Sequence, residues 1–169
     1  MSRIRDLLEE RRLAGGTPPE LARMAVRLLG DAEASAPDLI DPAAIIGEAR
    51  AAFTGLAAEC RAAFSKYPAV RGAGFHSGEA DPRSFAIYST MAQVENAGMY
   101  SPDDLSERLS AGTVTEAWAA AESLRLGAFL VVLRALIDEV DRRRLEVKGY
   151  HEAIAAAARE VGGVALVSA

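Results

Sequence analysis

Leu126-Gly127-Ala128-Phe129-Leu130-Val131-Val132-Leu133 decides how this chain is read. The stretch is apolar throughout and is bracketed by Arg125 and Arg134. It is too short to cross a bilayer, which takes roughly 20 apolar residues. On both sides the apolar positions continue at helical spacing, through Trp118, Ala121 and Leu124 before it and Leu136, Ile137 and Val140 after it. Alanine is abundant and aromatic residues make up only 6% of the chain, which favours helix over sheet. The pattern predicts one long helix over about 115–147, opened by the capping-box pattern Thr113-Val114-Thr115-Glu116 and closed at Lys148-Gly149. A helix with no polar stripe has to be covered on every side. Its cover is either the rest of this chain or a second subunit.

Outward from that segment, each neighbouring helix has its own start and stop signals. Ile4, Leu7, Leu8 and Arg11 recur at helical spacing from Ser2 to Leu13, where Ala14-Gly15-Gly16 ends the run. Thr17-Pro18-Pro19-Glu20 reads as a capping box with proline at the first helical position. The helix after it carries Leu21, Met24, Ala25, Leu28 and Leu29 on one face, and Gly30 and Ala34-Ser35-Ala36-Pro37 loosen or end it. Asp41-Pro42 opens a third helix to about Lys66, in which Gly47 and Gly55 are expected to admit another helix at close range. Asp81-Pro82 starts a fourth, ended by Gly98, and Ser101-Pro102-Asp103-Asp104 a short fifth that stops near Gly112. A last helix is expected over 150–161. There is no solenoid-type repeat and no Pro/Gly/Ser-rich linker. The expectation is an all-α, single-domain helical bundle, residues 1–169, of about six or seven helices around the long one.

Composition narrows the function classes. The 169 residues are 50% hydrophobic and 25% charged, enough for a buried core. Lys and Arg total 19 against 24 for Asp and Glu, a net charge of -5, so no overall basic excess draws in nucleic acid. Cys60 is the only cysteine, which excludes an internal disulfide and a cysteine-built zinc site. His76 and His151 are the only histidines, too few for a histidine-rich metal centre. No cofactor, no metal and no membrane association are expected, and the absence of a signal-type segment at the amino terminus points to the cytoplasm.

Four features carry candidate chemistry. Arg71-Gly72-Ala73-Gly74-Phe75-His76-Ser77-Gly78-Glu79 lies in the longest irregular segment, 67–83. Its glycines free the backbone to approach a ligand, Arg71 can hold an anion, and His76 or Glu79 can exchange a proton. Glu95 follows apolar helix-mates and is either a pocket acid or a rim carboxylate bonded to Arg125 or Arg134. Asp138, Glu139 and Asp141 alternate with Arg134, Arg142 and Arg143, which reads as a solvated, salt-bridged face. Trp118 and Phe129 on the long helix are the interface candidates.

Six residues separate Arg144 from His151. A guanidinium and an imidazole set beside one phosphodiester can stabilise the pentavalent charge and move its proton. This spacing resembles the Arg-x4–6-His motif of the HEPN family of all-α nucleases. The resemblance implies an RNA-cleaving dimer in which Arg144 and His151 meet their symmetry mates. That is the alternative. The first expectation is a non-catalytic interaction or assembly subunit that self-associates or docks on a larger protein partner. It rests on the all-round apolar stretch and on the missing catalytic constellation. A further alternative is a small-ligand sensor with a pocket between helices, gated by the 67–83 loop.

Overall fold

In a computed structural model of the chain, residues 3–34, 41–66, 99–143 and 147–162 are described. Among them are six helices and no strand: α1 (Arg3–Leu13), α2 (Pro18–Ala34), α3 (Pro42–Lys66), α4 (Pro102–Ser110), α5 (Glu116–Arg143) and α6 (Val147–Gly162). The apolar stretch is helical and sits in the middle of α5. All five other helices pack against α5, and further contacts of α1 with α2, α2 with α6 and α3 with α4 knit the surrounding layer. The architecture is therefore the expected all-α bundle around one long helix.

The cover over the apolar stretch comes from this same chain. Leu126, Phe129, Val132 and Leu133 have no exposed surface, and Leu8, Leu21 and Leu29 from α1 and α2 are equally buried. Fully burying a Leu, Val or Phe side chain is worth about 1.5–3 kcal/mol each. With so many buried positions, the middle of α5 is the main source of hydrophobic stabilisation. A second subunit is not needed to cover it.

The helix ends follow local chemistry. The α1–α2 turn is a Schellman motif: Gly16 N–H donates to the Arg11 carbonyl at 2.9 Å and Gly15 N–H to that of Arg12 at 3.0 Å. Gly15 has φ +86°, and a Cβ at Gly16 would lie 2.9 Å from the Arg11 carbonyl oxygen, so neither position takes a side chain without strain. Thr17 N–H then donates to Glu20 at 3.1 Å, starting α2 and holding the Glu20 carboxyl below its ordinary pKa. Ser101 and Asp104 form a reciprocal capping box at α4, with Pro102 in its first turn.

Three boundaries differ from the sequence expectation. Thr115, not Thr113, caps α5: the Trp118 N–H donates to its Oγ1 at 3.1 Å. The Thr113 hydroxyl instead donates back to the Arg108 carbonyl at 3.0 Å, closing α4. Lys148 and Gly149 lie inside α6 rather than ending α5, which is described only to Arg143. Gly149 is the third residue of α6, within its first turn, where a glycine costs no more than the helix-interior value of about 1 kcal/mol relative to alanine. Burial of Ala157 and Val161 on the same helix outweighs that. Gly30 is likewise carried through α2 without a break.

Candidate functional site

Most of the sequence-nominated residues lie outside the described residues. These are Arg71, His76 and Glu79 with the whole 67–83 loop, as well as Glu95 and Arg144. Position 151 falls in α6, but the His151 side chain lies outside the described residues, as does that of Cys60 in α3. The two nominated aromatics are described, and they differ. Phe129 is wholly buried in the core. Trp118 is half-buried in the first turn of α5.

Trp118 belongs to a cluster at the corner where α4 leads into α5. The half-buried Tyr100, just ahead of the α4 cap, meets it edge to face, with ring centroids 5.2 Å apart and planes at 64°. The guanidinium of Arg108 stands 4.7 Å from the centroid of the Tyr100 ring. The edge-to-face pair is worth about 0.5–1.5 kcal/mol beyond its buried area, and the exposed cation–π contact about 0.5–1 kcal/mol. Arg50 of α3 fixes the corner from below by bonding to Ser106 at 2.8 Å and pairing with Asp103 at 3.2 Å. Asp103, Asp104, Glu107 and Glu116 are all exposed and outnumber Arg50 and Arg108, so the rim of the corner is net acidic. Trp118 was legible as an interface candidate; Tyr100 and Arg108 were not, because their contact depends on how α4 is placed.

A second feature lies between α1, α3 and α5. Arg5, Glu9, Ala51, Ala52, Gly55, Leu56, Leu130, Val131 and Arg134 line a cleft of about 190 Å³. Arg12 grips Glu9 at two points, Nη2 to Oε1 at 2.7 Å and Nε to Oε2 at 3.0 Å, and also pairs with Asp138 of α5. The Arg12 hydrogen bonds hold the Glu9 carboxyl below its ordinary pKa, helped by the nearby charges of Arg5 and Arg134. The same bonds hold the Arg12 guanidinium in its charged form. Arg5 Nη1 donates to the Glu48 carbonyl at 3.4 Å, linking α1 to α3.

These contacts refine one expectation and correct another. Asp138 is partly exposed and salt-bridged, as expected, and its partner is Arg12, which ties α5 to α1. Gly47 and Gly55 do not admit a neighbouring helix at close range: a Cβ added to either meets nothing within 4 Å. Gly55 is exposed and is one of the residues that line the cleft. Sequence reasoning missed Arg5 and Glu9 as cleft residues. Their spacing of four on one helix face was the available signal.

Toward the other end of the bundle, Arg125 pairs with Glu122, both nearly buried, and donates to the Gly162 carbonyl at 3.0 Å, joining α5 to the end of α6. Ser123 beside them is buried, and its hydroxyl has no hydrogen-bond partner among the described residues. Among the described residues no group of His, Cys, Asp and Glu stands where it could hold a metal ion, and no helix is long and apolar enough to cross a membrane. No family model, no curated protein and no solved structure matches the chain.

Proposed function

We infer that the chain is a non-catalytic helical interaction module that docks on a protein partner through the Tyr100–Trp118–Arg108 corner. The observation that carries this reading is the half-buried Trp118, packed edge to face on a tyrosine that also sits under an arginine. Trp, Tyr and Arg are the residue types that dominate binding energy at interfaces. Here they are held in place before any partner arrives, by the Thr115 cap and by the hold of Arg50 on α4. That lowers the ordering entropy a partner must overcome. The acidic rim of Asp103, Asp104, Glu107 and Glu116 selects a partner segment with lysine or arginine around an apolar anchor, and charge complementarity of this kind sets register and association rate. The apolar middle of α5, covered by its own chain, lends no support to self-association.

The test is site-specific photocrosslinking in cells of the native host, with a photoreactive residue at the exposed Glu116. The expected result is one adduct whose crosslinked peptide is rich in Lys or Arg and which is lost when Trp118→Ala or Arg108→Glu is added. Arg108 is exposed, so its variant leaves the core untouched. An adduct indifferent to both variants, or one formed with a second copy of this chain, overturns the reading.

A further inference from the structure

The Tyr100–Trp118–Arg108 corner is built on two helices that are held very differently. Trp118 belongs to α5, which is buried without interruption from Leu126 to Leu133. Tyr100 stands just ahead of the α4 cap, and Arg108 lies within α4. That helix is nine residues long, and of these only Pro102 and Leu105 are buried. A helix shorter than about 12 residues is marginal by itself in water, so α4 depends on what fastens it to the bundle. Its caps do not fasten it. The Ser101–Asp104 box and the bond from the Thr113 hydroxyl to the Arg108 carbonyl act within α4 and the turn after it. The polar fastening is Arg50 of α3, through Ser106 at 2.8 Å and Asp103 at 3.2 Å, both at the surface, where an ion pair contributes little. What remains is Pro102, Leu105 and the edge-to-face contact of Tyr100 with Trp118.

We propose that α4 is a detachable clip. It opens from α3 and α5 as a unit, at a lower free energy than global unfolding, and the opening parts Tyr100 from Trp118 and takes the corner apart. Regions with few buried apolar side chains and exposed polar ties are where proteins open locally. The closed form is the major one, and a partner that needs the assembled corner draws the equilibrium further toward it. Docking is thereby governed from a distance, because Arg50 on α3 sets part of the closing free energy. The link to docking rests on the function proposed above. The opening itself does not, and the free chain tests it.

The experiment is native-state amide hydrogen exchange on the full chain without a partner, at several urea concentrations below the unfolding transition. The amides of Leu105 to Ala111 are expected to be at least about a hundredfold less protected than those of Phe129 to Leu133, with little dependence on urea, the mark of a local opening. Arg50→Ala lowers protection in α4 alone, by about two- to fivefold, the loss of an exposed pair. Tyr100→Ala lowers it by about two- to tenfold, because the ring contact is broken in the open form. Equal protection in α4 and the middle of α5, a urea dependence in α4 as steep as that of global unfolding, or α4 protection unchanged by Tyr100→Ala overturns the proposal.

Discussion

Phe129 and Trp118 lie eleven residues apart on one helix, and the two sites have opposite relations to solvent. Around Phe129 the helix is enclosed by its neighbours and retains no exposed surface; around Trp118 it emerges at a corner where an aromatic pair stays half open. Both residues are large, apolar and in phase with the same helical period, so the period alone assigns them one role. What separates them is how many helices surround the point where each sits. The middle of α5 serves the fold, and its first turn keeps part of an aromatic ring in water.

The largest expected effect comes from emptying the enclosed site. Phe129→Ala removes a fully buried ring and should cost about 3–5 kcal/mol, read as a lower denaturant midpoint with an unchanged slope. Trp118→Ala should cost clearly less, because part of that ring is already in water. A loss at Trp118 equal to that at Phe129 would erase the distinction between the two regions.

A smaller effect, with a defined pH dependence, belongs to the contacts that hold α1 against α5. Glu9 has a carboxyl pKa held below its ordinary value by Arg12, so it contributes stability above its unfolded-state pKa and loses it as pH falls through the folded value. Glu9→Gln should therefore lower stability at neutral pH, by less than about 1 kcal/mol since the pair is part-exposed. The gap between variant and parent should close between about pH 5 and pH 3 in urea titrations. A gap that persists at the acid end would mean that the side chain acts through packing and not through charge.

The smallest effect tests the enclosed region from its polar side. The Ser123 hydroxyl is buried with no hydrogen-bond partner among the described residues, five residues along α5 from Trp118 and six before Phe129. Ser123→Ala deletes an unsatisfied group and adds helix propensity, so it should be neutral or raise stability by up to about 1 kcal/mol in thermal unfolding. A clear loss would show that this part of α5 is less enclosed than Phe129.

The sequence made the bundle legible because its signals are local. Proline at the start of α2, α3 and α4, the Ser101–Asp104 cap and the Gly15-Gly16 stop all act within one turn of where they are written. Where two local signals competed, hydrogen bonding separated them: Thr115 caps α5 while the Thr113 hydroxyl closes α4, and α6 begins at Val147, ahead of Gly149. The α1–α3–α5 cleft was not legible for a different reason. Arg5 and Arg134 come from opposite parts of the chain, and the pairing of Arg12 with Asp138 spans 126 positions, so no spacing rule brings them together. The corner was half legible. Trp118 announces itself by residue type, whereas Tyr100 and Arg108 become partners only once α4 is pinned to α3.

The Gly15-Gly16 reversal bears on the order of assembly. It bends the chain within a handful of residues and brings α1 against α2, a contact that both helices make alongside their packing on α5. Contacts between near neighbours in sequence close small loops and form early, whereas docking on α5 has to bridge about a hundred residues. The first two helices are thus equipped to act as a ready-made platform on which the greasy rod later settles. Widening that bend, as Gly16→Ala would, should slow refolding as well as weaken the finished protein.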